Sequence, residues 1–293
     1  MVQSPAPSTR EPQTEARWAR VGVNLHGATA LVTGASDGLG REVARQLGAL
    51  GALVIVHGRD SQRGENVARA IRGAGPGDAV FYAADFASLA EVRAFAERVR
   101  ANHPRLNLLV NNAAVVSPAT RQVSEEGYEL AFAVNYLAPL VLTYRLLPLL
   151  QAGAPARIVN VASMGQAPLD FDDLMMERSY EPFDAYRRSK LAQIMFTFDL
   201  AAELDPRVIT VNCLHPARAM NTTRVISGGF QPLSTVEEGA EATMQLAVAP
   251  ELRGISGRYY SGLEPATANA QAYDAAARQR LRALSFAMVG LAR

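Results

Sequence analysis

The sequence predicts an α/β fold, a doubly wound parallel sheet of about seven strands with helices on both faces, and three observations carry the prediction. Short apolar runs without polar alternation recur along the chain, as strands buried on both faces require. Segments of helical periodicity separate them, so successive strands join by right-handed crossovers. The first apolar run leads into a glycine-rich turn that opens the first helix.

In order, residues 29–33 (TALVT) form the first strand and 39–50 the first helix. Strand 53–56 precedes helix 62–72, which stops at Gly73 and Gly75, residues that leave a helix at little steric cost. Strand 80–84, helix 89–101 and strand 106–110 continue the alternation. Two helical stretches, 125–135 and 137–150, lead to strand 157–161. The long helix 185–204, strand 208–213, helix 236–248 and strand 257–260 close the sheet. No Pro/Ser-rich or charge-run linker interrupts this order, so residues 25–293 read as one domain. Residues 1–24, with Pro5, Pro7 and Pro12 among scattered charges, read as a flexible tail without a signal-peptide core.

Of the 293 residues, 49% are hydrophobic and 19% charged, with a net charge of +1, so no basic field calls for nucleic acid. The single cysteine, Cys213, excludes an internal disulfide and a cysteine-built zinc site. His57 and His215 lack metal-like partner spacing, so no metal is expected, and packing or cofactor-loop hydrogen bonds are their reading. The most apolar stretch, 137–150, is broken by Pro139, Arg145 and Pro148 and is shorter than the ~20 residues a bilayer crossing needs. The expectation is a cytoplasmic protein without stable membrane insertion.

Ligands of open α/β sheets bind beyond the carboxyl ends of the strands, so the chemistry is sought there. Residues 33–40 (TGASDGLG) space their glycines G-x-x-x-G-x-G. Gly34, Gly38 and Gly40, with Ser36, Asp37 and Leu39 between them, let the backbone approach a dinucleotide pyrophosphate at the N-terminus of a helix. A glycine-rich turn without a ligand has the same pattern. Gly58 ends the second strand where an acid would bond a ribose 2′-hydroxyl, and Arg59 beside it, with Arg41, suits a 2′-phosphate. The cofactor expected is NADP(H) in preference to NAD(H). Asn112, after the fourth strand, can fix a backbone turn and pack beside the cofactor.

Tyr186 and Lys190 lie four apart on one face of a predicted helix. Hydride transfer to a ketone puts negative charge on oxygen, which needs a proton donor. A phenol suits neutral pH only when a nearby cation favours its phenolate. Lys190 is the only lysine in the chain, and chance would place a lone lysine four residues after a tyrosine in about 3% of cases. Ser163 ends the fifth strand, where its hydroxyl can bond a substrate oxygen, and Asn135 stands between two helical stretches, where an amide can hold a kink or a water.

Taken together and in this order across residues 27–262, TGASDGLG, NNAA, VNY, the strand ending in Ser163 and YRRSK resemble the short-chain dehydrogenase/reductase family. The resemblance implies a Rossmann-type fold and an oxidoreductase moving hydride between nicotinamide and a carbonyl or alcohol. It implies Asn135, Ser163, Tyr186 and Lys190 as catalytic tetrad, Tyr186 and Lys190 also at the nicotinamide ribose, and Asp85 with neighbouring Phe86 at the adenine. The interval from Ser163 to Tyr186 and the run SKLAQIMFT resemble the retinol-dehydrogenase-like branch, which mostly uses NADP(H) on apolar alcohols and aldehydes. Three departures bear on nicotinamide and substrate geometry: Ala114 and Ala217 stand where the family has glycine, and Ala138-Pro139 replaces a Gly-His pair.

Two segments are expected to form the substrate pocket: 164–184, with Met164, Phe171, Met175, Met176 and Phe183, and 217–231, with Met220, Ile226 and Phe230. These side chains either line a sizeable apolar site or pack the loops shut. The apolar C-terminal end reads as packing or a subunit contact, with attachment to a membrane surface as the lesser alternative, and the resemblance implies a homodimer or homotetramer. A cofactor-binding scaffold or sensor without turnover, and a non-redox enzyme on the same fold, are the alternatives to the oxidoreductase.

Overall fold

The computed structural model describes residues 13–222, 226, 229 and 231–291. Strands β1 (Thr29–Val32), β2 (Leu53–Gly58), β3 (Asp78–Ala83), β4 (Leu108–Asn111), β5 (Ala156–Val161), β6 (Ile209–His215), β7 (Tyr259–Ser261) and β8 (Glu264–Pro265) form one sheet ordered β3-β2-β1-β4-β5-β6-β7-β8. All neighbours are parallel except β7 and β8. The eighth strand exceeds the seven expected. It is a two-residue return through Gly262, at φ 59°, too short to leave a periodic signal.

Helices α2 (Gly38–Ala49), α3 (Ser61–Ala74) and α7 (Val236–Val248) cover one face of the sheet, burying Leu47, Val67 and Leu246 against Val32, Val54 and Val56. Helices α4 (Leu89–Asn102), α5 (Leu130–Ala152) and α6 (Pro182–Glu203) cover the other. The order reverses between β1 and β4, which opens the crevice at their carboxyl ends.

Two expectations are corrected. Residues 13–20 of the segment read as a flexible tail form helix α1 (Gln13–Arg20), and Trp18 is 1% exposed within the α2/α7 core. The burial of one large aromatic outweighs the polar, proline-rich composition around it. Arg17 pairs with Glu241 on α7. The two helical stretches at 125–135 and 137–150 are one helix, α5, that begins at Leu130 behind a Glu129 cap and contains a π turn at Ala133–Leu137. Pro139 has no N–H for the Asn135 carbonyl, and the turn widens there, with the Ala138 N–H reaching Ala133 O. By length and composition α5 could cross a membrane, but 78% of its most apolar window is buried inside the protein, where it is a core helix.

The C-terminal helix α8 (Ala275–Val289) lies over α5 and α6. Phe286 meets Tyr144 edge-on at 5.2 Å, Tyr136 Oη bonds Ser285 Oγ at 2.8 Å, and Arg278 pairs with Asp199 at 2.7 Å. These contacts cover part of α5 and α6 with α8.

Candidate active site

The glycine turn is shaped from below by hydrogen bonds. Thr33 Oγ1 accepts from the N–H groups of Asn112 and Ala113 at 3.0 Å each, and Asn112 Nδ2 donates to the carbonyls of Thr33 and Gly34 at 2.8 and 3.1 Å. The Asn112 side chain thus builds the turn. The Gly34 N–H donates to His57 Nδ1 at 3.2 Å, so the ring proton lies on Nε2 and is shared with Ala84 O at 3.1 Å. Full burial depresses the His57 pKa to about 4, which keeps this tautomer neutral.

Space around the turn admits little but glycine. Gly34 and Gly38 adopt φ of 64° and 53°, and a methyl on Gly40 would lie 2.4 Å from Gly34 O. Asp37 caps α2, its Oδ1 accepting from the Gly38 N–H at 2.7 Å, and Leu39 is buried in the core. Thr222 sits 3.3 Å from where a methyl on Gly38 would be, so the segment after β6 reaches over the turn.

At the end of β2, a side chain on Gly58 would meet Ser36 Oγ at 2.8 Å. Arg59, just past β2, and Asp85, just past β3, lie 3.7 Å apart on the same rim; Arg41 is exposed too. Phe86 is 3% exposed and stacks on His57 at 4.1 Å, so its side chain belongs to the core.

Beyond β5, Ser163, Tyr186 and Lys190 converge. A methyl on Gly165 would lie 3.4 Å from Ser163 Oγ and 4.0 Å from the Tyr186 ring. Ser163 Oγ accepts from the Gly165 N–H at 3.0 Å, and its carbonyl accepts from Tyr259 Oη at 3.1 Å. Lys190 is 2% exposed, with Nζ 5.9 Å from the Tyr186 ring centre and donating to Val161 O at 2.7 Å and Gln193 Oε1 at 3.2 Å. Asn135, in the π turn, spends its amide on structure: Oδ1 accepts from the Val115 N–H at 2.8 Å, and Nδ2 donates to Val115 O at 3.0 Å and Ser189 Oγ at 2.9 Å. Gln193, Tyr259 and Ser189 join the site without being among the residues that the sequence pattern marks as catalytic or cofactor-binding. Gln193 alone had a signal, since it stands one helical turn beyond Lys190.

The pocket segments divide. Phe171, Met175, Met176 and Met220 pack on the cores, whereas Met164, Phe183 and Ile226 are 54%, 62% and 58% exposed. Phe230 lies outside the described residues.

A family model described as short chain dehydrogenase matches residues 28–226. Retinol dehydrogenase 14 of Mus musculus is 39% identical over 295 residues, spanning 91% of this chain and 87% of its own. Polyprenol dehydrogenase of Mus musculus is 38% identical over 283 residues, spanning 90% and 84%. The Pseudomonas aeruginosa RhlG/NADP active-site complex superposes with a TM-score of 0.67 at 27% identity, over 82% of this chain and 96% of that one. The chain belongs to the short-chain dehydrogenase family, on its retinol-dehydrogenase-like branch, and is an NAD(P)-dependent dehydrogenase acting on CH–OH groups.

Proposed function

We propose that the enzyme uses NADP(H) and transfers hydride to or from the carbonyl or alcohol carbon of a sizeable apolar substrate. The observation that carries the proposal is the convergence of Ser163, Tyr186 and buried Lys190 beyond the carboxyl end of β5, on the same sheet whose β1 leads into a turn with no room for a side chain at Gly34 and Gly40. A dinucleotide fits that turn: the backbone of 34–40 at the α2 N-terminus would hold the pyrophosphate. Arg59 and Arg41 would take a 2′-phosphate, where Ser36 leaves no room for an acid on Gly58, and Asp85 stands at the adenine end. Solved relatives carrying NADP or NADPH favour the same choice.

The bound cofactor supplies or accepts the hydride. Ser163 Oγ donates a hydrogen bond to the substrate oxygen and orients the carbonyl. Tyr186 gives its phenolic proton to that oxygen as charge develops, and takes one back in alcohol oxidation. The Lys190 ammonium favours the phenolate that results. Asn135 holds the backbone at Val115 and the helix at Ser189, fixing the floor of the site. Exposed Met164, Phe183 and Ile226 offer an apolar mouth, and relatives named for retinol and polyprenol point to alcohols with long apolar chains.

Fluorescence titration tests the cofactor assignment. NADPH is expected to bind about tenfold or more tightly than NADH, a preference lost in Arg59→Ala, consistent with one charge-assisted contact. Tyr186→Phe should retain NADPH affinity and lose turnover on apolar aldehydes by roughly 10²–10⁴-fold. Failure to bind either dinucleotide would overturn the proposal, as would turnover surviving in Tyr186→Phe.

A further inference from the structure

Two of the acceptors of Lys190, the Val161 carbonyl and the Gln193 amide, carry no charge. Gln193 is fully buried, and the other end of its amide, Nε2, has no hydrogen-bond partner among the described residues. A buried donor without a partner is costly, and a methionine would fill the same volume without that cost. What the amide adds over methionine is its oxygen, and that oxygen accepts from Lys190.

We propose that Gln193 is a positioning residue for Lys190: it keeps the ammonium charged and aimed into the site without adding a negative charge that would cancel its field. The inference rests on the role assigned to Lys190 above. The two residues lie three apart on α6 and project from one face. That turn of α6 is braced against the sheet. Thr197 Oγ1 donates to Gln193 O at 2.9 Å, Asn160 Nδ2 donates to Thr197 Oγ1 at 2.8 Å, and Asn111 Nδ2 donates to Asn160 Oδ1 at 2.8 Å. The charged and titratable side chains on the surrounding elements are Asp184, Tyr186, Arg187, Arg188, Asp199 and Glu203 on α6, Tyr136, Tyr144 and Arg145 on α5 with Glu129 capping it, Arg157 at the far end of β5, Cys213 and His215 on β6, and Tyr259 and Tyr260 on β7. A carboxylate in place of the amide would raise the affinity of Lys190 for its proton while blunting its effect on Tyr186; an apolar side chain would lower that affinity by removing an acceptor.

The lone lysine makes this measurable without cofactor or substrate. Protein labelled with ¹³C-lysine gives one lysine spin system, whose shift against pH titrates Lys190 alone. Gln193→Met should lower its midpoint by about one pH unit and Gln193→Glu raise it by a similar amount, the size of one gained or lost short-range contact. In Gln193→Glu the acid limb of alcohol oxidation also moves to higher pH, because the added carboxylate opposes ionisation of Tyr186. A role confined to packing would cost both variants thermal stability without driving the midpoint in opposite directions. An unmoved lysine midpoint in the folded variants overturns the inference, and if Gln193→Met does not fold, Gln193→Glu decides. The functional reading has a separate arm: NADPH added to the wild-type protein should perturb the same lysine signal, and if it does not, that reading fails whichever way the variants titrate.

Discussion

Residues 33–40, the proposed cofactor turn, and 164–184, the proposed substrate segment, are built differently. The glycine turn is fixed through its backbone, by Thr33, His57 and Asn112. The proposed substrate segment is pinned to distant loops by side-chain hydrogen bonds: Arg121 Nε donates to Met175 O at 3.0 Å, the segment's own Tyr180 Oη to Pro118 O at 2.8 Å, and Gln271 Oε1 accepts from the Leu169 N–H at 2.6 Å. In the turn the left-handed positions are glycines, where they cost nothing. In the substrate segments, Met176 and Ala219 take φ of 51° and 43°, which costs energy for residues with a Cβ. The contrast teaches that a site for an invariant ligand can be written in backbone geometry, while a site for a variable ligand is left to side chains that tolerate exchange.

The sharpest way to break the contrast is to put a side chain into the turn. Gly40→Val should destabilise the protein by about 3 kcal/mol and abolish dinucleotide binding, because the added carbons meet backbone at Gly34. Thermal melts and NADPH fluorescence check both; a variant that binds normally would show the turn to be pliant. Acid should attack the same turn from beneath. His57 and His215 are both pushed down to about 4 by burial, so they are neutral in the fold and titrate near 6.5 when unfolded. Below pH 6.5 the unfolded chain takes up protons that the folded one refuses, so this contribution is full above 6.5 and lost as pH falls toward 4. The loss amounts to a few kcal/mol, read as a Tm that falls over that window, less steeply in His57→Gln.

Asn112→Ala should cost about 1–3 kcal/mol by leaving the Thr33 and Gly34 carbonyls without their donor, with weakened NADPH binding as the accompanying sign. The smallest effect belongs to the substrate side. Met164→Ala with Phe183→Ala should raise KM for apolar aldehydes roughly tenfold at unchanged kcat, the signature of lost uniform binding, with NADPH affinity and Tm unaltered. An unchanged KM would place the apolar contacts elsewhere.

The sequence by itself determined the alternation of strands and helices, the glycine turn, and the helix that sets Tyr186 and Lys190 on one face, because each is a local rule of backbone geometry or period. The placement of Arg59 was legible for the same reason, since it follows the end of a strand. Only the tertiary structure decided which side chains are spent on the scaffold. Phe86 is withdrawn into the core by stacking on His57, and Asn112 and Asn135 are absorbed in bracing loops. Trp18 draws helix α1 onto α7, and half of the apolar side chains of the two proposed substrate segments turn inward. These outcomes depend on contacts between residues far apart in the chain, where burial is won in competition with every other apolar surface, and no local pattern records who wins.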